Sequence, residues 1–354
     1  MMYEFLEGIE HRMSWIDGHM SESIGVDLGT DHIRVYLAGQ GIVLNEATAI
    51  AVLKDTDEVV AAGNEAEALR GRTPQAIRLI HPMENGMICD DEHTRMFLKQ
   101  ILSKIKTKNL LKPIMMITVP CGATAVQERA VIEVAQSVGA RKVYLVEEPV
   151  AAALGAGCDI TLARGLMVLD IGGGISDLSV VSLSNSVVHA SSMVAGDDFT
   201  EAVIAYLYKR YRLEIGYATA RELKEKIGGV LPRETTLSMT VSGADATTKL
   251  PRKVTVYSNE LTEAFEEVTE RIVSLVKSAL DETPTEILAD VLEDGILLTG
   301  GGAKLYGLDQ RLRAETGIKI FLAEDAEFCA VKGTGIAIEH LEELPGIVHN
   351  FHNM

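Results

Sequence analysis

The pattern of apolar and polar residues changes near residue 90. Before it, short apolar runs are separated by tight turns, several of them with glycine, which predicts a β-meander. After it, apolar runs alternate with stretches of helical period, which predicts a mostly parallel sheet covered by helices. The early strands are predicted at 23–26, 33–37, 42–44 and 49–53, with Asp27-Leu28-Gly29-Thr30 as a turn. The mixed, more polar residues 54–83 predict a small insertion.

The same alternation continues toward the C-terminus. Helices are predicted at 91–106, 124–138, 149–156, 199–212, 218–228, 259–281, 305–314 and 326–343. Strands are predicted at 114–119, 142–146, 166–171, 178–183, 187–194, 296–298 and 318–322, with a polar β-like stretch at 235–257. This order of elements predicts an α/β fold.

A strand-turn-strand unit occurs twice. Val26-Asp27-Leu28-Gly29 matches Leu169-Asp170-Ile171-Gly172 at a separation of 143 residues, 170 minus 27. We therefore expect two duplicated lobes that face each other. The expected organisation is an N-terminal extension at 1–21, lobe I at 22–165 with an insertion at 54–83, lobe II at 166–335 with an insertion at 214–258, and a C-terminal helix and tail at 336–354 that return to lobe I.

Residues 1–20 carry apolar side chains at three- and four-residue steps, which predicts an amphipathic helix. A membrane-surface helix usually has a basic polar face. Here Glu4, Glu7, Glu10 and Asp17 oppose Arg12 alone. Binding to a membrane and packing on protein therefore both stay open for this helix.

Composition narrows the function classes. The chain has 354 residues, enough for two domains, and a net charge of −18. That charge repels nucleic acid and opposes a mainly electrostatic attachment to anionic lipid. The four cysteines are far apart, with no CxxC pair, as expected of buried thiols in a reducing cytosol. No apolar run of about 20 residues and no secretory signal is apparent, so we expect a cytoplasmic protein.

Three glycine turns end apolar strands and point to a nucleotide. Backbone N–H groups in such turns bind phosphate oxygens, and one or two carboxylates anchor hydrated Mg²⁺. Two of the turns pair an aspartate with glycines, and the third is Gly300-Gly301-Gly302. No GxxxxGK[ST] motif occurs, which disfavours the P-loop class. A single turn of this kind is explained better as a tight hairpin, but three such turns together favour a nucleotide site.

The chain resembles the MreB family of bacterial actin-like proteins over about residues 22–345. The segments that carry the resemblance are 24–30, 39–46, 119–122, 144–153, 170–174, 194–197 and 298–303. The resemblance implies an actin-like ATPase fold with a nucleotide cleft between the lobes. It implies ATP and Mg²⁺ as cofactors, and filaments that organise cell-wall synthesis and rod shape.

The resemblance also implies roles for single residues. Asp27 and Asp170 position Mg²⁺ through water, and Glu148 activates or orients the attacking water. The predicted ATP-binding residues are Gly29, Thr30, Asp31, His32, Gly172, Gly173, Gly174, Gly196, Lys224, Glu225, Gly300, Gly301 and Gly302. Two simpler explanations stay open: Glu148 as a first-turn helix residue before Pro149, and Lys224 and Glu225 as an exposed helix face.

The connection at 106–112 places Leu110 and Leu111 between lysines. In MreB-like proteins a hydrophobic loop here dips into the membrane, so the resemblance implies attachment to the inner membrane surface. The alternative is that both leucines fold back onto the core. Implied partners are further copies of the chain or its paralogues, a transmembrane helix-turn-helix adaptor and the cell-wall elongation machinery. Nucleic acid is not an expected partner.

Two departures from the family pattern affect the turns. Asp31-His32-Ile33 replaces Ala-Asn-Thr, and a carboxylate beside phosphates opposes binding unless it faces solvent or pairs with His32. Ile175-Ser176-Asp177 replaces Thr-Thr-Glu, which removes a hydroxyl that orients water.

Competing functions are a chaperone-type ATPase, a sugar or acetate kinase, and a weakly hydrolysing scaffold. Only residues 344–354 remain for a peptide-binding domain, and no acceptor pocket is evident.

Overall fold

The computed structural model describes residues 21–105, 111–341, 343 and 344. The predicted helix within residues 1–20, the position of Leu110 and the end of the C-terminal tail lie outside the described residues. The strands are β1 (Ser21–Leu28), β2 (His32–Leu37), β3 (Gly41–Ala47), β4 (Ile50–Leu53), β5 (Val59–Ala62), β6 (Ile77–Ile80), β7 (Met83–Glu84), β8 (Met87–Ile88), β9 (Leu111–Val119), β10 (Lys142–Glu147), β11 (Leu166–Ile171), β12 (Ser176–Ser182), β13 (Asn185–Ser192), β14 (Leu213–Glu214), β15 (Ser238–Asp245), β16 (Pro251–Tyr257), β17 (Ile296–Thr299) and β18 (Ile320–Leu322).

The helices connect and cover these strands. They are α1 (Asn64–Glu67), α2 (Asp91–Ser103), α3 (Ala125–Ser137), α4 (Glu148–Gly155), α5 (Gly196–Tyr211), α6 (Tyr217–Ile227), α7 (Ser258–Glu282), α8 (Thr285–Asp294), α9 (Leu308–Thr316) and α10 (Cys329–Glu339). Capping side chains in the local sequence determine where several of these helices begin. Asp90 accepts a bond from His93 N at the start of α2, and Thr124 forms a capping box with Gln127 at the start of α3.

The two lobes share one sheet topology. The first sheet has the order β10-β9-β1-β2-β3, and the second has the matching order β18-β17-β11-β12-β13. In both, the aspartate strand pairs antiparallel with the strand that follows it and parallel with a strand much later in the chain. The duplication predicted from the repeated Asp-x-Gly turns is therefore confirmed.

Successive side chains of the central strand β9 point to opposite faces of the sheet and enter two different cores. Met115, Ile117 and Val119 of β9 enter the core beneath α2 and α3, while Ile114 and Met116 point to the opposite face. That opposite face packs against α4 and α10, which also pack on each other, and α4 in addition contacts β11, β12 and β17 of lobe II. The two lobes are therefore joined by a shared layer of two helices.

Two three-stranded sheets extend the lobes in the part of the chain that the structure describes. Strand β4 pairs with β5 and β6, and not with β3, so the prediction that it continues the β-meander was wrong. Its side chains Ile50 and Val52 still reach the core of lobe I, which explains why its apolar pattern resembles that of the meander strands. Strands β14, β15 and β16 form the corresponding sheet of lobe II.

One strand boundary and one helix differ from the predictions. Asp27 and Leu28 still belong to β1, so the turn starts at Gly29. Helix α8 was not predicted. It is separated from the long helix α7 only by Thr283 and Pro284, and a single one of its side chains, Val291, is fully buried. Four of its ten residues are acidic and most are exposed.

The contact between α4 and α10 depends on glycine. A Cβ atom at Gly155 would lie 1.8 Å from the carbonyl oxygen of Cys329, and one at Gly333 would lie 1.7 Å from that of Ala151. Both positions are therefore closed to larger residues unless the helices separate.

We expect Gly155→Ala to lower the free energy of unfolding by about 1–3 kcal/mol, because the added methyl group overpacks this junction. Urea or thermal unfolding measures the change. Gly216→Ala is the matched control, since a Cβ there has no atom within 4 Å and the expected change is about 0.5 kcal/mol. Equal losses in the two variants would contradict the tight junction.

Candidate functional site

A cleft of about 440 Å³ lies between the lobes and is lined by residues of both. The lining includes the predicted residues Asp27, Gly29, Thr30, Asp31, His32, Glu148, Asp170, Gly172, Gly173, Gly196, Lys224, Glu225, Gly300, Gly301 and Gly302. It also includes Arg34, Arg221, Arg233 and Tyr306, which the sequence analysis did not single out. Residues far apart in the chain therefore converge on one cavity.

The two acidic turns have the same internal geometry. Gly29 N donates to His32 O over 3.0 Å, and Gly172 N donates to Ile175 O over 2.9 Å. Each aspartate also accepts from a threonine on the parallel neighbouring strand. Thr118 Oγ1 donates to Asp27 Oδ1 over 3.3 Å, and Thr299 Oγ1 donates to Asp170 Oδ2 over 2.7 Å.

The repeat differs at the residue opposite each aspartate. In β2 the cross-strand partner of Asp27 is Arg34, whose Nη1 lies 3.0 Å from Asp27 Oδ2. In β12 the partner of Asp170 is another carboxylate, Asp177. One aspartate therefore has an arginine beside it and the other does not. Register could have suggested Arg34 in the sequence, because a tight turn after Asp27 places it directly opposite.

Several buried carboxylates lie at or near this cleft; Asp27, Asp170 and Glu148 line it, whereas Asp177 does not. Burial, partly opposed by the bond from Thr299 and reinforced by the charge of Asp27, raises the pKa of Asp170 to about 7. Burial also raises the pKa of Asp177 to about 7, against the hydrogen bond from Ser191. Glu148 is the first residue of α4, and burial followed by the charges of Asp170 and Asp27 raises its pKa well above the usual value.

The glycines bring backbone close to these groups. Gly300 has φ +85°, and a Cβ there would lie 2.7 Å from Asp170 Oδ1, so the third turn needs glycine at this position. Gly174 is not among the residues that line the cavity. A Cβ there would lie 2.9 Å from the side chain of Thr30, which places this glycine at the contact between the lobes. Thr30 Oγ1 itself accepts from Gly86 N over 2.7 Å.

Polar side chains line the opposite wall. Lys224 Nζ donates to Gly196 O over 2.8 Å, and burial followed by the charge of Arg221 lowers the pKa of Lys224. Glu225 accepts from Arg221 Nε over 2.8 Å. Lys224 is half-buried and Glu225 is exposed, and both line the cavity, so their predicted contacts with nucleotide stay a prediction.

The residues fit a hydrated Mg²⁺ better than a directly ligated metal. No group of three or more His, Cys, Asp or Glu side chains arranged to hold a metal occurs in the part of the chain that the structure describes. Mg²⁺ usually keeps several water ligands and needs only one or two carboxylates. Buried Asp27 and Asp170, at equivalent ends of β1 and β11, supply carboxylates of this kind.

The predicted membrane loop is only partly described. Leu111 is the first residue of β9 and pairs with Ser21 in β1. Leu110 lies outside the described residues, so membrane insertion of this pair stays a prediction. Among the residues that the structure describes, no helix is long and apolar enough to cross a bilayer.

Two duplicated lobes with paired acidic turns at one cleft define an actin-like protein. A family model for the MreB/Mbl protein matches residues 21–345. The Mbl protein of Bacillus subtilis is 40% identical over 326 residues, 92% of this chain and 98% of that protein. The MreB protein of Escherichia coli K12 is 41% identical over 331 residues, 92% of this chain and 95% of that protein. Both are named cell shape-determining proteins. This chain belongs to the MreB/Mbl family.

Solved structures agree with this assignment. MreB5 of Spiroplasma citri bound to AMPPNP is 33% identical, with a TM-score of 0.88 over 91% of this chain and 97% of that one. A MamK double helical filament is 20% identical, with a TM-score of 0.74 over 90% of this chain and 99% of that one. At that identity the MamK similarity supports the fold alone.

The carboxylates predict a pH dependence of stability. A carboxyl group whose pKa is raised by folding favours the folded state only while protonated. Its contribution is complete below about pH 4 and is lost as the pH rises through about 7. We expect metal-free protein to lose stability between pH 5 and 8. Asp177→Asn should flatten this decline by on the order of 3 kcal/mol.

Denaturant unfolding in EDTA across this pH range measures the effect. Glu282→Gln is a suitable control, because it removes an exposed carboxylate at the end of α7. The explanation is wrong if Asp177→Asn and the wild type lose stability in parallel.

Proposed function

We propose that this chain binds Mg·ATP in the cleft, hydrolyses it, and forms membrane-associated filaments that organise cell-wall synthesis and rod shape. The observation that carries the proposal is the pair of equivalent acidic turns, one from each lobe, at a single cavity. Membership of the MreB/Mbl family and the AMPPNP- and ADP-bound MreB5 structures support a nucleotide as the ligand.

The turns bind the nucleotide through backbone groups. The N–H groups of Gly29 and Gly172 are used inside the turns, so the N–H groups of Thr30 and Gly173, which also line the cavity, hold phosphate oxygens. Gly300–Gly302 meets the adenosine end and the α-phosphate, and Lys224 and Glu225 flank the base or ribose. Asp31 and His32 lie beside the phosphates at the mouth of the cleft. Gly196 approaches the phosphates from the start of α5.

Asp27 and Asp170 would hold Mg²⁺ through water, and the ion would supply positive charge beside the phosphates. Arg34 partly neutralises Asp27, which limits repulsion among the buried carboxylates. Glu148 orients the attacking water and accepts its proton. Burial and the charges of Asp170 and Asp27 raise its pKa, and a higher pKa makes the ionised carboxylate a stronger base.

A nucleotide-binding scaffold with weak hydrolysis is the second candidate. The observation that favours it is the turn after Gly174. Ser176 Oγ donates to Val194 O over 2.6 Å, so this hydroxyl is used inside the protein. Ile175, the preceding residue, has no hydroxyl with which to orient water.

We expect Glu148→Gln to keep ATP binding and to slow phosphate release by about 10²–10⁴-fold, because it removes the general base. Calorimetry measures binding, and a phosphate-release assay measures turnover. Glu133→Gln, on exposed α3, should change neither. Unchanged phosphate release in Glu148→Gln would remove this residue from its assigned role. Slow release already in the wild type favours the scaffold.

The filament and membrane proposals rest on the family and on the leucine pair. Two leucines per subunit bind lipid weakly, so polymerisation must combine many copies for stable attachment. The protein then acts at the cytoplasmic face of the inner membrane. Its proposed partners are further copies or paralogues, a transmembrane helix-turn-helix adaptor and the elongation machinery.

We expect sedimentation with vesicles and Mg·ATP to carry the wild type into the pellet, with filaments visible by electron microscopy. The double change Leu110→Ser and Leu111→Ser should release the protein from lipid without preventing polymers. Val126→Ser is the control, since Val126 is 79% exposed and lies on α3. Persistent lipid binding by the double variant would move the anchor to the N-terminal segment.

A further inference from the structure

One ion pair crosses the mouth of the cleft. Arg221, on α6 of lobe II, donates from Nη1 to Asp31 Oδ1 over 2.8 Å and from Nη2 to Asp31 Oδ2 over 2.7 Å. Asp31 lies in the turn between β1 and β2 of lobe I, 190 residues earlier in the chain. The guanidinium therefore meets both carboxylate oxygens, which is the strongest geometry for such a pair.

Both members of the pair are held in place by neighbours. His32 Nδ1 lies 2.9 Å from Asp31 Oδ2, and Arg221 Nε donates to Glu225. The side chains of Asp31 and Arg221 are only 22% and 25% exposed. Burial alone raises the pKa of Asp31, but His32 and Arg221 together hold it well below its usual value.

The pair also lies against the phosphate turn of the opposite lobe. A Cβ atom at Gly173 would be 2.7 Å from the Cβ of Asp31. Asp31 thus touches the second acidic turn through Gly173 and helix α6 through Arg221. The repulsion expected between Asp31 and phosphate is reduced, because Arg221 already neutralises the carboxylate.

A second contact ties the same helix to lobe I. The guanidinium of Arg70 lies 4.1 Å from the ring centroid of Tyr217, the first residue of α6. Arg70 Nε is held by Glu67 at 2.7 Å, and Tyr217 donates its hydroxyl proton to Asp197 over 2.5 Å. Lobe I therefore contacts α6 at two places.

We propose that Asp31 and Arg221 are positioning residues that hold α6 across the cleft and thereby set the rate of nucleotide exchange. Helix α6 also carries Lys224 and Glu225, so the pair fixes one wall of the site relative to the phosphate turns. The lobes cannot separate at this edge while the pair is intact. A bound nucleotide leaves only after it breaks. This inference rests on the proposed binding of nucleotide in the cleft.

The test is a double-mutant cycle on nucleotide release. Asp31→Asn, Arg221→Gln and the double variant are loaded with a fluorescent ATP analogue and Mg²⁺, then chased with unlabelled ATP in a stopped-flow instrument. We expect each single change to speed release by about tenfold, as loss of a partly buried bidentate pair does. The double variant should be no faster than the single ones, because both changes break one interaction.

Two further variants sharpen the outcome. Arg221→Lys keeps the charge but loses the bidentate geometry, so we expect an intermediate rate. Lys226→Gln removes a positive charge from the same helix but breaks only the exposed pair with Glu222, so release should stay unchanged. Faster release from Arg221→Gln with no effect of Asp31→Asn would overturn the proposal, because Arg221 would then act on the phosphates directly.

A readout without nucleotide separates this proposal from the function on which it rests. Hydrogen exchange of α6 amides in the nucleotide-free protein should be faster in Asp31→Asn and Arg221→Gln than in the wild type and Lys226→Gln. Normal exchange in all variants would sink the positioning role. If the wild type binds no ATP while α6 exchange still responds, the proposed function fails and the pair between the lobes stands.

Discussion

The structure depends on buried carboxylates brought close together at the ends of two equivalent strands. Charges of one sign repel strongly where water is excluded, so such a cluster needs protons, cations or hydrogen-bond donors. Asp27 has Arg34 and Thr118, whereas Asp170 has Thr299 and a raised pKa. The divalent cation proposed for this cleft would replace the protons and complete the neutralisation.

Duplication explains why these carboxylates meet. Each lobe repeats the same five-stranded topology, so each places an aspartate and a glycine turn at the same edge of its sheet. The copies then diverged at the neighbouring position, where one has Arg34 and the other Asp177. The two lobes therefore differ in charge at equivalent positions of one topology. In lobe I an arginine lies opposite the aspartate, whereas in lobe II a second carboxylate does.

The lobes are attached at two places, by apolar helix packing at one and by charged and aromatic contacts at the other. Beneath the cleft, α4 and α10 touch through glycines, which permits close apolar packing and little rearrangement. At the mouth, charged and aromatic side chains meet across a gap and can separate without opening a core. Close packing at one end and a separable contact at the other are the arrangement from which a hinge is built. Under the proposed function, this arrangement would link occupancy of the cleft to the relative position of the lobes.

Local patterns determined much of this protein from the sequence alone. Strand and helix periods, the repeated Asp-x-Gly turns and the triple glycine required no knowledge of distant contacts, because each is a property of a few neighbouring residues. Only the tertiary structure decided what depends on register and on approach between distant segments. It moved β4 to a separate sheet and joined Asp31 to Arg221 across 190 residues. Nothing in a local pattern records which charged side chains will meet, since that is decided when the two lobes fold against each other.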